Sequence, residues 1–329
     1  MPSCDPEDGR LAVVTRGLTK RFGRLVAVDH LDLEVRRGEL YGFLGPNGAG
    51  KSTTLRMLCG ILEPSEGDGR VLGIDLRRHP ERVKSSIGYM SQRFSLYDDL
   101  TVEENLTFYA RVYMVPRAGR AARLRQMLRL GDLVGRERQL AGQLSGGYRQ
   151  RLALGCALVH APRLIFLDEP TAGVDPVSRR NFWAVIRRLV DEGITIMVTT
   201  HYMDEVEHCD RLGFLYQGRL IVEGPPEEIK HTAFRKPVLE LSTTDARKAA
   251  DLLEEWEKVE EVIRTGERLR VILADEALTA ADCSAWLKAR GVEAGAERVV
   301  PSIEDLFVSF VDRERKQRLR EQLRAVNSE

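Results

Sequence analysis

A glycine-rich loop with one lysine carries the clearest chemical signal in this sequence. The stretch GPNGAGKST matches the pattern G-x-x-x-x-G-K-[ST], with an apolar run before it and a helix-like segment after it. Glycines let the backbone wrap around phosphate oxygens, the lysine adds a positive charge, and the serine hydroxyl can ligate Mg²⁺. We predict a site for nucleotide phosphates and Mg²⁺ formed by Gly45, Pro46, Asn47, Gly48, Ala49, Gly50, Lys51, Ser52 and Thr53.

Two adjacent carboxylates follow a short apolar strand, LIFLDE, which ends in Asp168 and Glu169. In α/β proteins the carboxyl ends of strands line ligand sites. Neighbouring residues of a strand point to opposite sides, so we expect Asp168 to hold the metal and Glu169 to polarise an attacking water. By itself such a pair is more typical of a helix cap. The upstream glycine loop favours the catalytic interpretation.

Three further residues are weaker candidates. His201 closes the run ITIMVTT, where it could donate a hydrogen bond to a terminal phosphate or be an ordinary cap residue. Gln92 follows another apolar run, and a glutamine is a weak indication by itself. Phe22 could stack on adenine or belong to the core. Chemistry alone leaves these alternatives open.

A second anion site is indicated by LSGGYRQR, in which Ser145, Gly146 and Gly147 open a predicted helix. The first turn of a helix has unpaired N–H groups and the positive end of the helix dipole, which together attract phosphate. The chain therefore has two phosphate sites, and its nucleotide-binding pattern occurs once.

The elements around these motifs alternate between strands and helices. Apolar runs end at the glycine loop, at the acidic pair and at His201. A helical stretch runs from Thr101 to about Leu133, with Thr101 and Glu104 in capping-box positions. Residues 210–224 read as a hairpin. This order predicts an α/β fold with a largely parallel core sheet.

A proline-rich and charged break at 224–237 separates a second region. Beyond it the order strand, helix, hairpin (turning at Thr265-Gly266), helix, strand, helix predicts a small α+β domain of ferredoxin-like type over 231–311. Residues 312–329 read as a charged helical tail, and 1–10 as a disordered N-terminus.

Composition excludes several classes of protein. Among 329 residues, 50 basic side chains balance 50 acidic ones, so no nucleic-acid partner is expected. Five dispersed cysteines without a C-x-x-C pair suit a reducing compartment and do not form a metal site. The polar N-terminus is not a signal peptide, and no apolar run approaches the ~18 residues of a membrane helix. We expect a cytosolic protein, or one held on a membrane by a partner.

Taken together, the motifs resemble those of ATP-binding cassette (ABC) transporter ATPases, over about residues 11–230. The glycine loop, Gln92, LSGG, LIFLDEP, AGVD and His201 follow one another in the order typical of that family. The resemblance implies an ABC cassette with a mixed sheet and a helical subdomain at about 93–160. It also implies ATP and Mg²⁺ as cofactors, adenine stacking by Phe22 and a γ-phosphate switch at His201.

Further implications of the resemblance concern partners. Gln92 would link the metal and the attacking water to a membrane partner, and Asp175 would lie in a loop that crosses a dimer interface. In such cassettes the segment 145–147 is too far from its own glycine loop to reach the same nucleotide. The resemblance therefore implies a head-to-tail homodimer, or paired cassettes, enclosing two ATP. Tyr148 replaces the usual glutamine of LSGGQ, and we expect activity to survive because Ser145 and Gly147 are kept.

The kind of ABC protein is narrowed by what lies between the motifs. There is one cassette, with neither a coiled coil nor a cysteine cluster between Lys51 and Ser145. This favours a transporter ATPase whose integral-membrane permease is a separate chain, at the cytoplasmic face of the membrane. SQRFSLYDDLTVEENLTFYARVY and SIEDLFVSFV resemble stretches of ABC-2-type exporter ATPases. Importer ATPases with a regulatory C-terminal domain, and soluble ABC ATPases, remain alternatives, and the cargo is not indicated.

Two surfaces have further possible roles. Residues 93–105 either receive a permease helix or form a solvated loop. Two basic stretches, one at 117–129 and one in the tail from Arg313, either approach anionic lipid headgroups or are solvated helix faces. The arginines of the first stretch are Arg117, Arg120, Arg123, Arg125 and Arg129.

Overall fold

The computed structural model describes residues 10–233, 238–265, 268–275 and 277–299, and residues 303, 305–307, 309 and 311 of a last helix. The chain divides into two compact units, Met1–Pro225 and Pro226–Glu329, and this division lies within the proline-rich break. The predicted disordered N-terminus (apart from Arg10), the charged tail and Gly266 of the predicted turn lie outside the described residues.

A six-stranded sheet forms the centre of the first unit, as the alternation of strands and helices predicts. Its order is β10 (Arg219–Gly224), β9 (Arg211–Tyr216), β3 (Leu40–Leu44), β8 (Thr195–Thr200), β7 (Leu164–Asp168) and β6 (Gly88–Met90). The strands from β9 to β6 are parallel, and β10 turns back antiparallel as the predicted hairpin. Every residue of β3, β7 and β8 is buried, which is why these strands read as continuous apolar runs.

A second, antiparallel sheet has the order β2 (Leu25–Arg36), β1 (Leu11–Phe22), β4 (Glu66–Val71) and β5 (Ile74–Asp75). Strands β1 and β2 are predicted by their alternation, whereas β4, EGDGRV, has no such pattern. At Gly67 the backbone has a φ of 76°, and an added Cβ would lie 2.2 Å from the carbonyl oxygen of Gly17. This close approach to β1 requires glycine. Glycine has no side chain that could contribute to an alternating pattern, so β4 is hard to predict from sequence.

The described residues of the first unit form six α-helices: α1 (Lys51–Leu58), α2 (Pro80–Ser86), α3 (Val102–Val112), α4 (Arg117–Leu130), α5 (Gly146–Leu158) and α6 (Pro176–Asp191). The capping box of α3 is confirmed, because the Thr101 hydroxyl accepts from the backbone of Glu104 and the Glu104 carboxylate accepts in return. Helices α3, α4 and α5 share an apolar core that includes Leu106, Met127 and Leu152.

The arginine-rich helix α4 is partly explained by local contacts. Arg123 donates to the carbonyl oxygens of Leu158 and Val159, at the C-terminal end of α5. Arg120 donates to the carbonyl oxygen of Val115 over 2.7 Å. A cation at the C-terminal end of a helix interacts favourably with the carbonyl groups there. These two arginines therefore have structural partners, which leaves Arg117, Arg125 and Arg129 for the lipid interpretation.

The second unit has the predicted ferredoxin-like arrangement. Its strands are β11 (Val238–Thr243), β12 (Val259–Thr265), β13 (Arg268–Leu273) and β14 (Ala294–Val299), in the antiparallel order β12-β13-β11-β14. Helix α7 (Pro226–Ala233) precedes them. Helices α8 (Ala246–Glu254) and α9 (Ala280–Lys288) form the two crossovers and share one apolar core with the sheet. No helix within the described ranges is long and apolar enough to span a membrane.

Candidate active site

The glycine loop lies where the sequence predicts it, between buried β3 and α1. Gly50 has a φ of 104°, and a Cβ there would lie 2.5 Å from the carbonyl oxygen of Ala27, so only glycine fits. The Nζ of Lys51 donates to the carbonyl oxygens of Gly45 (2.7 Å) and Pro46 (3.1 Å). The lysine thus folds back over the loop, and its side chain is only 4% exposed.

Asp168 and Ser52 meet directly beside this loop. The Ser52 hydroxyl donates to Oδ1 of Asp168 over 2.8 Å, and the Thr199 hydroxyl donates to the same oxygen over 2.8 Å. Hydroxyl and carboxylate oxygens are the ligands that Mg²⁺ prefers. No group of three or more His, Cys, Asp or Glu in the described part of the chain could hold a metal ion. A metal at Ser52 and Asp168 would therefore complete its shell with water or phosphate oxygens, as Mg²⁺ does.

Glu169 has an unusual backbone. Its φ of 46° lies in the left-handed region, which costs a residue with a Cβ about 1–2 kcal/mol. Its N–H compensates by donating to the hydroxyl of Thr199 (2.9 Å) and to the carbonyl oxygen of Thr199 (3.2 Å). Strand alternation, which predicts opposite sides for the two carboxylates, therefore ends at Asp168. Both carboxylates contact the start of α1, one at Ser52 and the other at Lys51.

Three of the predicted residues lie around the Glu169 carboxylate. Its Oε1 lies 3.3 Å from the Nζ of Lys51. Its Oε2 accepts a hydrogen bond of 3.1 Å from the side-chain amide of Gln92 and lies 3.3 Å from Nδ1 of His201. These residues come from four separate parts of the chain. We call Lys51, Gln92, Glu169 and His201 the Glu169 cluster.

The second predicted phosphate site lies at the start of α5. Ser145 is exposed, and its side chain makes no capping hydrogen bond to the helix. Gly147 is buried against α6, because a Cβ there would lie 2.5 Å from the Ser178 hydroxyl oxygen. Asp175 caps α6 by accepting from the backbone N–H groups of Ser178 (2.9 Å) and Val177 (3.1 Å). The first of these hydrogen bonds is the main reason why the pKa of Asp175 is lowered.

Tyr148, the departure from the usual motif, lies between two guanidinium groups. The guanidinium carbons of Arg136 and Arg151 are 4.2 Å and 4.4 Å from its ring centroid. Gly146 is exposed beside it. The tyrosine thus packs against the preceding loop and its own helix.

Phe22, at the end of β1, is 48% exposed, which excludes the core alternative. The Nζ of Lys20 lies 5.3 Å from its ring centroid. None of the described contacts joins Phe22 to the Glu169 cluster or to the residues around Ser178. Its exposed ring is suited to stacking on a planar group.

Comparison with known proteins agrees with this geometry. The sequence matches the family described as "ABC transporter" over residues 28–172. It is 44% identical over 244 residues to the daunorubicin/doxorubicin resistance ATP-binding protein DrrA of Streptomyces peucetius, which is 73% of each chain. The chain belongs to the ABC transporter ATP-binding proteins.

Other similar ABC proteins extend the comparison. A Nod factor export ATP-binding protein I of Burkholderia orbicola (strain AU 1054) is 36% identical over 301 residues, or 91% of this chain and 96% of that protein. The probable multidrug ABC transporter ATP-binding protein YbhF of Escherichia coli (strain K12) is 47% identical over 222 residues. That match covers 68% of this chain and only 38% of YbhF.

A solved ABC structure shows the same fold. The cassette MJ0796, in a dimeric post-hydrolysis state bound to ADP and Pi, has a TM-score of 0.60 and 26% identity over 65% of this chain and 98% of that one. The first unit is thus an ATP-binding, ATP-hydrolysing ABC cassette, of a family whose cassettes dimerise and serve membrane transporters.

Four supporting residues of this ABC cassette were not among the predicted site residues. They are Thr199, Gln150, Thr171 and Glu205. The buried side chain of Gln150 donates to the carbonyl oxygen of Pro170 over 2.8 Å, which ties α5 to the residue after Glu169. Thr199 could have been found from sequence, because it is a polar residue near the end of a buried strand. Gln150 lies within LSGGYRQR, Thr171 lies between LIFLDEP and AGVD, and Glu205 lies outside the motifs. The partners of these three residues are distant in sequence, so no local pattern indicates them.

Proposed function

We propose that this chain is the ATPase subunit of an ABC-2-type exporter and that it powers a separate integral-membrane permease. The Glu169 cluster is the observation that carries the enzymatic part of this proposal. The transport part is supported by the relatives, whose names are those of multidrug, daunorubicin/doxorubicin resistance and Nod factor export proteins. The subunit would lie at the cytoplasmic face of the membrane, held there by the permease.

Each member of the Glu169 cluster has a role in this proposal. Glu169 accepts a proton from the attacking water, since its carboxylate is buried and oriented by its neighbours. Lys51 moves from the carbonyl oxygens of the loop to the phosphates. His201 donates to the γ-phosphate, and Gln92 orients the water beside Glu169. Phe22 stacks on the adenine with its exposed ring.

Ser52 and Asp168 are the residues that would hold Mg²⁺, and the predicted third ligand, Gln92, contacts the neighbouring Glu169. Their oxygens already lie 2.8 Å apart, and the Thr199 hydroxyl keeps the carboxylate oriented. When bound there, the ion would supply positive charge next to the phosphates. The role of this chain is to orient the Asp168 carboxylate.

The second phosphate site acts on a second copy of the chain. The exposed Ser145 hydroxyl and the N–H groups at the start of α5 would bind the γ-phosphate held by the partner's glycine loop. Two ATP molecules then bridge a head-to-tail homodimer. Hydrolysis removes the bridging γ-phosphate and the dimer opens, because only ATP contacts both halves well.

A surface for the permease lies next to Gln92. A cavity of about 180 Å³ is lined by residues of β6, the segment after it, α3 and α5, among them Met90, Leu96 and Tyr109. Beside it the rings of Tyr97 and Phe108 pack edge to face, and both are substantially exposed. Exposed apolar surface next to a cavity is typical of protein interfaces. We assign residues 93–105 and this cavity to a permease helix.

Copurification tests the proposal most directly. Tagged Glu169→Gln protein, kept closed in MgATP, is isolated from detergent-solubilised membranes of its native cell, and its partners are identified by mass spectrometry. A stoichiometric polytopic membrane protein is expected, and its sequence distinguishes an exporter from an importer. Recovery of ribosomes, or of a homodimer alone, would contradict the transport role.

A second experiment tests the docking surface. Charge reversal at Asp98 and Asp99 should weaken the link between ATP use and transport. Asp98 also pairs with Arg149 of α5 over 2.6 Å, so Arg149→Ala is the matched control for loss of that pair. Unchanged coupling in the charge-reversed variant would remove residues 93–105 from the proposal.

A further inference from the structure

A buried carboxylate outside all the motifs lies behind the Glu169 cluster. Glu205 is 1% exposed and begins the 3-10 turn at Val206–His208. Its Oε1 accepts a hydrogen bond of 2.6 Å from the hydroxyl of Thr171, and its Oε2 accepts one of 2.6 Å from the hydroxyl of Thr200. Because burying a charge is costly, a carboxylate in such a place needs charge-assisted partners, and these short bonds supply them.

The two threonines are next to the catalytic candidates along the chain. Thr171 follows Glu169 by two residues, and Thr200 immediately precedes His201. The hydroxyl of Thr200 also accepts from the backbone N–H of Tyr202 over 2.9 Å, so that this hydrogen bond spans His201. One carboxylate therefore ties together the chain segments that leave β7 and β8, where Glu169 and His201 lie.

One cation faces Glu205 from the neighbouring helix. The Nε of Arg179, on α6, is 3.5 Å from Oε1 of Glu205. The same guanidinium lies over the ring of Tyr202, 4.1 Å from its centroid, and the Tyr202 and His201 rings are 4.2 Å apart. In addition, the backbone N–H of Arg179 donates to the carbonyl oxygen of Asp175. Arg179 thus connects Glu205 both to the His201 ring and to the start of α6.

We propose that Glu205 is a positioning residue for ATP hydrolysis. Its two carboxylate oxygens accept hydrogen bonds from Thr171 and Thr200, and through them it fixes the distance between the segments that carry Glu169 and His201. This inference rests on the proposed roles of those two residues. A misplacement of about 1 Å can slow a reaction on the order of a hundredfold. Loss of Glu205 contacts should therefore affect turnover, whereas ATP binding by the glycine loop should change little.

The test removes one hydroxyl at a time and keeps the side-chain shape. Thr171→Val and Thr200→Val are each expected to lower kcat by about tenfold or more, with KM for ATP within about threefold of wild type. Glu205→Gln keeps the volume of the side chain and removes its charge, and the same pattern is expected. Glu207→Gln, in the same 3-10 turn but exposed, is the matched control and should keep wild-type kcat.

Combining the changes separates positioning from folding. In the Thr171→Val/Glu205→Gln double variant the losses in kcat should be far from additive, because both changes break one contact. Circular dichroism and thermal melting establish the folded fraction. A kcat within twofold of wild type for the folded Thr171→Val and Thr200→Val proteins would overturn the inference, as would a rise in KM that accounts for the whole loss.

Failure of this inference and failure of the proposed function have different signatures. If Glu169→Gln is inactive while the Thr171, Thr200 and Glu205 variants turn over normally, only the positioning role is lost. If Glu169→Gln turns over ATP at the wild-type rate, the proposed base is wrong, and with it the premise on which Glu205 was assigned.

Discussion

The Nζ of Lys51 lies 3.3 Å from Oε1 of Glu169, and both side chains are almost fully buried. When no phosphate is bound, the Lys51 cation therefore neutralises the Glu169 carboxylate. Lys51 is the residue that would bind phosphate, and Glu169 is the one that would act as the base. Breaking a buried ion pair by removing one partner leaves the other charge uncompensated. Nucleotide binding and the stability of the free cassette are therefore linked through these two residues.

Lys51→Ala should destabilise the nucleotide-free protein as well as lose ATP binding or turnover. Leaving Glu169 buried without its cation is expected to cost about 3 kcal/mol of unfolding free energy, measured by urea denaturation. The double variant Lys51→Ala/Glu169→Gln should be more stable than Lys51→Ala alone, because the unpaired charge is gone. Strictly additive losses would show that the two side chains do not interact.

Glu169→Gln should bind ATP and lose nearly all turnover. The glutamine side chain has the same shape, so Gln92 and His201 keep a neighbour, but it cannot accept a proton. Light scattering should give the 37.1 kDa mass of the monomer in ADP and twice that mass in MgATP. Retained turnover would exclude Glu169 as the base and direct attention to His201.

Tyr148→Gln should leave ATPase activity within a few-fold of wild type. The variant loses the stack between Arg136 and Arg151, which is worth about 1 kcal/mol of stability. Its hydrolysis rate should change little, because Ser145 and Gly147 remain at the start of α5. Steady-state ATPase assays and thermal melts measure the two effects separately. A drop in activity beyond a hundredfold would mean that the tyrosine itself is required.

Stability should fall in mild acid because of His160. Its Nε2 lies 2.9 Å from the carbonyl oxygen of Ile87, its ring stacks on Tyr113, and burial lowers its pKa below the usual value of 6.5. The unfolded chain therefore binds the proton more readily, so stability is full above pH 6.5 and declines as the pH falls through 6.5 toward the folded-state pKa.

His160→Gln tests this, since its amide can still donate to Ile87 and does not titrate. Urea denaturation at a series of pH values from 7.5 to about 5 should give a shallower decline for His160→Gln than for wild type. His79→Gln, at an exposed position before α2, is the control. Parallel curves for wild type and His160→Gln would assign the acid sensitivity to other groups.

Local sequence predicted those parts of the site that depend on backbone shape. Residues within one turn of each other determine three of these features: the glycine loop, the capping box at Thr101 and the start of α6 after Asp175. Local sequence patterns therefore predict them. The buried strands that carry Asp168 and His201 were legible for a similar reason, because strands buried on both faces form short apolar runs.

Contacts between distant segments could not be predicted from local sequence. Gln92 meets Glu169 across 77 residues; its position after an apolar run made it only a weak candidate, which the resemblance to ABC ATPases strengthened. Glu205 meets Thr171 across 34 residues, and nothing in HYMDE marks it as buried. The left-handed backbone of Glu169 contradicts the rule of strand alternation, and its hydrogen bonds to Thr199 stabilise it.

In the proposed dimer the Ser145 segment of one chain completes the site at Lys51 of another, and mixing two inactive variants tests this arrangement. Lys51→Ala and Ser145→Arg proteins are assayed separately and after mixing in equal amounts. Because half of the dimers then pair unlike chains, each with one intact composite site, the mixture should recover about a quarter of wild-type ATPase activity. A mixture no more active than its separate components would contradict this arrangement and place Ser145 and Lys51 at independent sites.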